Sequence, residues 1–505
     1  MDILASFFNA VGVVFSPTVF LVIFLTSIVA IILGIIPAIS GGVMCILVLP
    51  FMFGLDPYIG MPILCALVGV SGLGGSMTSI LLGIPGDIAN AASVVDGFPM
   101  TRKGEGGRGL GLALTANVLG GILAVVFSFA VIPILIPAII AFKSPEMFLI
   151  IVLALLFLTV LTKGSRLKGL IAAGIGLLLA NVGYQTGTGV ARLTFGSMYL
   201  YEGIETATTL MAILAMPVLL ELHATGLTIA PVSMTGAGKL SELFRGAREL
   251  LGRHKWIWFR SSVIGYFIGI LPALGATSAT WIAYGHAKQT AKNPEEFGKG
   301  APQGIIAPES AANACHAGDL LTTLAFGIPG SSIMVIFLAA FLLMGVQPGP
   351  KLILEHSVLC FEMLLTIALA NVIGGAVCFL GAPLLLKVTR ISPYYLFAYL
   401  IPIVLLSTYV TREYTLDLIM IGIMALLGLF MVRFGFSAPA MILGFILGRG
   451  FEKYLIMSLD VYGPIFFTSP ISITLLVLIF MTLFFGSLQK LAGRLLHREI
   501  DILED

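Results

Sequence analysis

The sequence predicts an all-α polytopic membrane protein with about 10–12 transmembrane helices, arranged as two inverted-topology repeats with re-entrant or broken helical hairpins. Three observations predict it: an apolar composition, a series of apolar segments of membrane-spanning length, and an ordered internal duplication. Of 505 residues, 27 are Lys or Arg and 25 are Asp or Glu, so charged residues make up 10% while hydrophobic residues make up 58%. The mean hydropathy is +1.08. Soluble domains carry roughly 25% charged residues, so this composition excludes a soluble enzyme, and it equally excludes a disordered chain. A formal net charge of +2 offers no basic face to nucleic acid. Cys45, Cys65, Cys315, Cys360 and Cys378 sit singly in apolar stretches, without CxxC pairs or His at metal spacing. They read as core residues, with no disulfide framework, zinc site or cofactor implied.

A helix needs about 20 apolar residues to cross the hydrocarbon layer. Segments of that kind lie at Val13 to Ile36, Leu110 to Phe142, Met147 to Leu161, Leu170 to Val182 and Thr206 to Leu222. In the second half they lie at Trp256 to Leu271, Val358 to Leu386, Tyr395 to Tyr409, Leu416 to Val432, Met441 to Leu447 with its flanks, and Ile471 to Phe485. Because Met1 to Ala10 lacks a basic n-region, the first segment is expected to remain as a span. Gly42 to Phe53, Ile63 to Leu82, Leu320 to Phe326 and Ile333 to Met344 read as too short or too broken to cross alone, and suggest re-entrant hairpins. The longest polar stretch, roughly His223 to Lys255, holds five cations and reads as a cytoplasmic linker. The expected division is 1–222 as first repeat, 223–255 as linker, 256–486 as second repeat and 487–505 as C-terminal tail.

Four motifs recur in the same order. Gly34 to Gly41 (GIIPAISG) is echoed at Gly269 to Ala276 (GILPALGA), Gly83 to Asp87 (GIPGD) at Gly327 to Ser331 (GIPGS), Ala116 to Gly121 (ANVLGG) at Ala370 to Gly375 (ANVIGG), and Ser144-Pro145 at Ser392-Pro393. Compositional likeness of Gly- and Pro-rich helices explains one such match, not four in order, so two homologous halves follow. The bias of Lys and Arg toward the cytoplasm alternates between equivalent turns: Lys163, Arg166 and Lys168 against Arg412 beside Glu413; a neutral Lys143 to Glu146 turn against Lys387 and Arg390; Arg102, Lys103 and Arg108 against Lys351. Inversion of the second half accounts for all three pairs.

Broken hydrophobic segments at corresponding positions of inverted repeats point to a transport site near the midplane. Each half leads a small-residue, polar approach into Ile-Pro-Gly, at Pro85-Gly86 and at Pro329-Gly330, and each reads as a hairpin tip. The helix after each tip would aim free N–H groups and its positive dipole end at an anion, suiting an organic carboxylate. Ser76, Thr78, Ser79, Asn90, Thr322, Thr323, Ser331 and Ser332 add hydroxyls and an amide near the tips. Helix packing is the competing reading for each hydroxyl taken singly. Asp87, Glu309 and Asp319 are candidates for binding a coupling ion, sodium or proton, since ionisable groups inside a membrane are costly. Asp87 is alternatively a helix cap, Glu309 a vestibule residue, and His316 a satisfied packing histidine. The stretch Asp96-Gly97-Phe98-Pro99 with Arg102, Lys103 and Arg108 reads as a cytoplasmic turn rather than a phosphate loop, because no Walker pattern is present. No catalytic constellation is visible.

The stretches Leu81 to Gly104, Pro294 to Asn313, Gly327 to Ser331 and Gly345 to Pro350 (GVQPGP) resemble the large membrane subunit of the bacterial tripartite tricarboxylate transporters, over essentially the whole chain. The resemblance implies a multi-pass permease of the inner membrane that works with a small membrane subunit and a periplasmic solute-binding protein. It also implies import of citrate or related carboxylates driven by an ion gradient without ATP hydrolysis. Pro37, Gly86, Pro272, Glu309, Ser310, Asn313, Pro329 and Gly330 match its motifs; Ala38, Ala273, Asp87-Ile88, His316 and Asp319 depart from them. The expected substrate-binding set is completed by Ser40, Ser79, Pro85, Asn90, Thr277, Thr322, Ser331 and Ser332. The alternatives are a membrane enzyme-complex subunit, which would alter its substrate chemically, and a passive anion channel, which would not accumulate it.

Overall fold

Asp56 and Pro57 begin the central helix of the first half. The Asp56 side chain accepts a 2.9 Å hydrogen bond from the Tyr58 N–H, and Pro57 occupies the first helical position, where its missing N–H costs nothing. At the other end Gly83 adopts φ +70°, the left-handed cap that L side chains resist. The counterpart in the second half ends identically at Gly327, with φ +67°. The structure, a computed structural model, describes residues 3–36, 39–83, 85–161, 165–185, 190–205, 208–209, 212–213, 216–217, 220, 240–271, 274–385, 402, 405, 409 and 414–483.

The helices of the first unit (1–140 and 205–430) run in chain order. They are α1 (Ile3–Val14), α2 (Pro17–Gly34), α3 (Gly41–Val48), α4 (Pro57–Leu82), α5 (Ala91–Arg102) and α6 (Gly106–Ile140). The second unit (141–204 and 431–505) interrupts them with α7 (Ser144–Leu161), α8 (Arg166–Ala180) and a two-residue antiparallel ribbon, β1 (Gly183–Tyr184) and β2 (Ala191–Arg192). The first unit resumes with α9 (Leu240–Arg253), α10 (Lys255–Ile270), α11 (Gly275–Thr290), α12 (Gln303–Phe326), α13 (Ser332–Leu343), α14 (Pro350–Glu355), α15 (Ser357–Leu385) and α16 (Thr415–Arg433). The second unit closes with α17 (Ala438–Tyr462) and α18 (Pro470–Leu483).

Five described helices are long and apolar enough to cross a bilayer: α2, α4, α6 over Gly106–Pro137, α15 over Ser357–Ala382, and α16. Shorter apolar helices accompany them. Apart from the short ribbon, the described residues are helical or in connecting loops, and the chain is a multi-pass membrane protein. Thr206 to Leu222 and Tyr395 to Tyr409 lie largely outside the described residues, as do residues 223–239 of the expected linker and the tail.

Two expectations from hydropathy are corrected. Ile63 to Leu82 is part of the unbroken 26-residue α4, because Asp56-Pro57 starts the helix earlier and Pro62 falls near its beginning, where it removes few internal hydrogen bonds. Leu320 to Phe326 is the end of the 24-residue α12, which runs on through Glu309, His316 and Asp319. Polar side chains interrupt a hydropathy profile but not backbone hydrogen bonding, and all but a terminal few residues of α12 are buried by other helices. α3 and α13 remain short, with 8 and 12 residues.

Within the first unit the halves pack reciprocally. α2 lies on α4 as α10 lies on α12; α6 of the first half packs on α12 of the second, and α15 of the second on α4 of the first. α3 meets α13, while α11 meets the 3-10 turn Ile88–Asn90 that precedes α5. Exchange of this kind, A on B′ and A′ on B, is what a two-fold relation between two like bodies produces.

Residues 240–253 of the expected linker form the amphipathic α9, which buries Leu243, Gly246 and Leu250. Gly246 and Gly111 bring its backbone against that of α6, and Arg108 clamps Glu249 through two bonds of 2.6 Å. Burial opposes ionisation of Glu249, but the His254 imidazole and the Arg108 guanidinium hold its carboxyl down at about 2 from an ordinary 4.5. A depressed carboxylate contributes stability that is complete above the unfolded value and lost as pH falls from about 4.5 toward 2. Arg108→Gln is therefore expected to loosen α9 by about 2–3 kcal/mol and to flatten that acid dependence, read as hydrogen exchange over residues 240–253. Unaltered exchange would assign α9 docking to the glycine contact alone.

In the second unit α8 and α17 touch backbone to backbone. A Cβ on Gly176 would stand 1.9 Å from the Met441 carbonyl oxygen, and one on Gly444 2.3 Å from that of Ala173. Small residues permit that approach where lipid supplies no hydrophobic drive. Glu146 accepts the Lys143 N–H at 3.0 Å across the start of α7 and the Ser472 hydroxyl at 2.8 Å.

Candidate functional site

Gly86 and Gly330 are seated alike. A Cβ on Gly86 would lie 2.4 Å from Gly75 Cα and 3.0 Å from the Gly34 carbonyl oxygen; on Gly330 it would lie 2.6 Å from Asp319 Cα and 2.9 Å from the Gly269 carbonyl oxygen. Gly75 and Asp319 are 244 residues apart, as are Gly86 and Gly330, and Gly34 and Gly269 head the two copies of the G-x-x-P motif. Each tip is thus tucked between the central helix of its half and the closing carbonyls of the preceding one. Pro37 and Pro272, in the G-x-x-P motifs, lie outside the described residues. Pro85 is exposed whereas Pro329 is buried.

The tips differ in what meets their helix ends. Asp87 accepts the Ala89 N–H at 3.2 Å and, with its other oxygen, the Gly41 N–H at 3.3 Å. One carboxylate thus caps both the turn after the first tip and the start of α3, whose N-cap Ser40 accepts from the Val43 N–H at 3.3 Å. The first tip carries its own anion. At the second tip Ser331 occupies the N-cap of α13 without a side-chain cap bond, and Ser332 beside it is exposed. That helix start therefore has no side-chain cap of its own.

Around the second tip, Thr322 donates to the Ile270 carbonyl at 3.0 Å, and the Gly330 N–H reaches Thr323 Oγ1 at 3.4 Å. Asp319 is buried; its Oδ1 faces the Cys315 thiol at 3.5 Å. Thr277, near the start of α11, is half-buried. His316 lies within electrostatic reach of Asp87 across the two halves, and its Nδ1 has no hydrogen-bond partner among the described residues.

Glu309 and Asn313 lie about two turns and one turn, respectively, N-terminal of His316 on α12. The buried Glu309 carboxylate accepts from Ser76 Oγ at 2.6 Å, Asn90 Nδ2 at 3.2 Å and Asn117 Nδ2 at 3.0 Å, all from the first half. It is therefore a fully coordinated carboxylate, not a vestibule group. Asn313 donates to Asn117 Oδ1 at 2.6 Å and to Asn371 Oδ1. Asn117 and Asn371 are the asparagines of ANVLGG and ANVIGG, so the repeated motif delivers one amide from each half to a single residue of α12. Their amide roles were missed in the sequence, where the motif served only as a marker of duplication. Ser310 donates back to the Ile306 carbonyl at 2.7 Å, and its own carbonyl oxygen would lie 2.5 Å from a Cβ on Gly120. It is a contact of helix packing. Ser79 is buried, and its hydroxyl has no hydrogen-bond partner among the described residues.

Glu309→Gln is expected to lower stability by about 2–3 kcal/mol, because a Gln amide would turn its NH2 toward the donors on Asn90 or Asn117. Thermal unfolding in detergent measures it; an unchanged midpoint would show that these hydrogen bonds add no net stability.

The expected turn at Asp96 is corrected: Asp96 lies inside α5, with Pro99 in the same helix and the turn following at Lys103. Its Oδ1 accepts the N–H groups of Gly298, Gly300 and Ala301 at 2.8, 2.9 and 2.8 Å, and its Oδ2 the Tyr284 hydroxyl at 3.0 Å. Gly298 and Gly300 hold φ of +85° and +102°, which turns successive N–H groups inward as an anion nest. A first-half carboxylate thus anchors the second-half loop leading into α12. Among the described residues no group of His, Cys, Asp and Glu is placed to hold a metal ion as a cluster of three or more.

Paired helix breaks in an apolar helical scaffold are the kind of feature from which membrane transporters build binding sites. The model of the tripartite tricarboxylate transporter TctA family matches residues 20–443. The chain belongs to that family, and with it to the large membrane subunits of tripartite transporters. The chain is also 30% identical over 449 residues to an "uncharacterized 52.8 kDa protein in TAR-I ttuC' 3'region" of Agrobacterium vitis, covering 88% of both chains. It is 30% identical over 218 residues to an "uncharacterized protein in TAR-II ttuC' 3'region" of the same organism, covering 42% of this chain and 89% of that one. No solved structure matches the chain.

Proposed function

We propose that this chain is the permease of a binding-protein-dependent secondary transporter that imports tricarboxylates or related organic carboxylates across the bacterial inner membrane, driven by a sodium or proton gradient. Its partners are a small membrane subunit and a periplasmic solute-binding protein, which selects the cargo. The observation carrying this reading is the uncapped start of α13 behind a buried Pro-Gly tip. Orphan N–H groups and the helix dipole favour a carboxylate there. No Lys or Arg is needed nearby, and the first tip supplies none because Asp87 already occupies its N–H groups.

The two-fold-like packing supports halves that cross the bilayer in opposite senses and exchange access to the site by moving against one another. Single cysteines at Lys103 and Lys351 are expected to react with a membrane-impermeant thiol reagent from opposite faces; labelling from the same face rejects inversion. Uptake into vesicles should require the binding protein and an imposed ion gradient, survive ATP depletion and collapse with an ionophore. Uptake that survives the ionophore but not ATP depletion rejects the reading, and chemically altered substrate would assign an enzyme instead.

A further inference from the structure

We propose that the second tip holds a small monovalent cation, of the sodium class, between the Asp319 carboxylate, the Ser331 hydroxyl and the Gly269 carbonyl oxygen. The proposal rests on the reading of a gradient-driven transporter and locates its coupling ion.

Three carboxylates surround the tips, and hydrogen bonding separates them. Asp87 spends both oxygens on the N–H groups of Gly41 and Ala89. Glu309 is met by Ser76, Asn90 and Asn117. Asp319 is fully buried, yet among the described residues its carboxylate has as donors only the Cys315 thiol, 3.5 Å from Oδ1, and the Ser331 hydroxyl. The Ser331 side chain, 7% exposed, faces this carboxylate, and its hydroxyl is placed to donate to it. One hydroxyl and one thiol are few donors for a carboxylate in a dry interior, where Glu309 has three side-chain donors and Asp87 two N–H groups, and a bound cation would remove the remaining cost.

The neighbouring backbone is of the right kind. A Cβ built on Gly330 would stand 3.0 Å from Asp319 Oδ1 and 2.9 Å from the Gly269 carbonyl oxygen, so both oxygens flank one point at the tip. Gly269 is the penultimate residue of α10, where carbonyls lose their intrahelical donors and the dipole is negative. Hard oxygen ligands with a single negative charge suit a monovalent ion; a divalent ion would call for more carboxylates. The duplication sharpens the point. The positions equivalent to Asp319 and Ser331 in the first half are Gly75 and Asp87. There the carboxylate is on the tip and is neutralised by N–H groups; here it is beneath the tip and lacks them. A cation at Asp319 would also cancel the one negative charge standing behind the uncapped start of α13, so cation and carboxylate cargo would each strengthen binding of the other.

The test needs neither uptake nor the partners. The purified chain in detergent is titrated with sodium chloride against choline chloride at constant ionic strength, and its thermal midpoint is followed. Sodium is expected to raise the midpoint by about 3 °C or more at saturation. Asp319→Asn should abolish that shift, Ser331→Ala should raise the half-effective sodium concentration about tenfold, and Asp87→Asn should leave the shift in place. A sodium response retained in both Asp319→Asn and Ser331→Ala, or no response in the native chain, overturns the proposal. Ser331→Ala deletes only a hydroxyl and keeps the test informative if Asp319→Asn folds poorly. Because no cargo is present, a sodium site that persists in a protein failing the uptake assay separates failure of the transport reading from failure of this one.

Discussion

Asp96→Ala is expected to destabilise the first unit by about 3–5 kcal/mol, among the largest losses available to a single substitution in this chain. The carboxylate receives three backbone N–H groups from residues 298–301 and the Tyr284 hydroxyl. Hydrogen bonds to a charged group contribute roughly 1.5–3 kcal/mol each. Water can replace the partner of the part-buried Gly298 and Gly300 N–H groups, but the Ala301 N–H is buried and would be stranded. Asp96→Asn should cost only about 1–2 kcal/mol, since an amide oxygen can still face the nest while its NH2 faces Tyr284. The ordering Ala worse than Asn is checked by thermal unfolding and by protease sensitivity of the loop at residues 293–302. Equal losses would show that charge rather than geometry is decisive. The loop enters α12, so uptake should fall with anchoring in both variants.

That anchor shows what a sequence withholds. The acid was visible, but its meaning depended on a loop some 200 residues away whose glycines turn their N–H groups inward. Asp87 was similar: a cap for the following turn was legible from its place after Pro85-Gly86, whereas its second bond, to Gly41 on another helix start, was not. Helical class and family were legible because they rest on periodic apolar runs and short local motifs. Helix lengths were misjudged where Pro62 and the polar residues of α12 interrupted hydropathy but not the backbone. Asn117 and Asn371 stood inside a motif already singled out, and an amide repeated in two apolar helices was signal enough to suspect a shared buried partner.

Substituting either tip glycine by alanine is the sharpest test of whether two equivalent tips work as one site. The Cβ introduced at Gly86 would meet Gly75 Cα at 2.4 Å, and at Gly330 it would meet Asp319 Cα at 2.6 Å. Both obstacles are backbone, so no rotamer change relieves them, and the tip must move outward by roughly 1 Å to restore ordinary contact. Overpacking of that kind costs about 1–3 kcal/mol, which a stably inserted protein survives, but a 1 Å displacement of groups that bind cargo lowers rates on the order of 100-fold. Uptake should therefore fall by about that factor in both Gly86→Ala and Gly330→Ala, while the amount of inserted protein changes little. Gly12→Ala and Gly174→Ala provide the comparison, because a Cβ at either position meets nothing within 4 Å. Transport near the native level in one tip variant and not the other would place the site at a single tip. The uncapped start of α13 and the self-capped Asp87 turn make the second tip the one that must then prove sensitive.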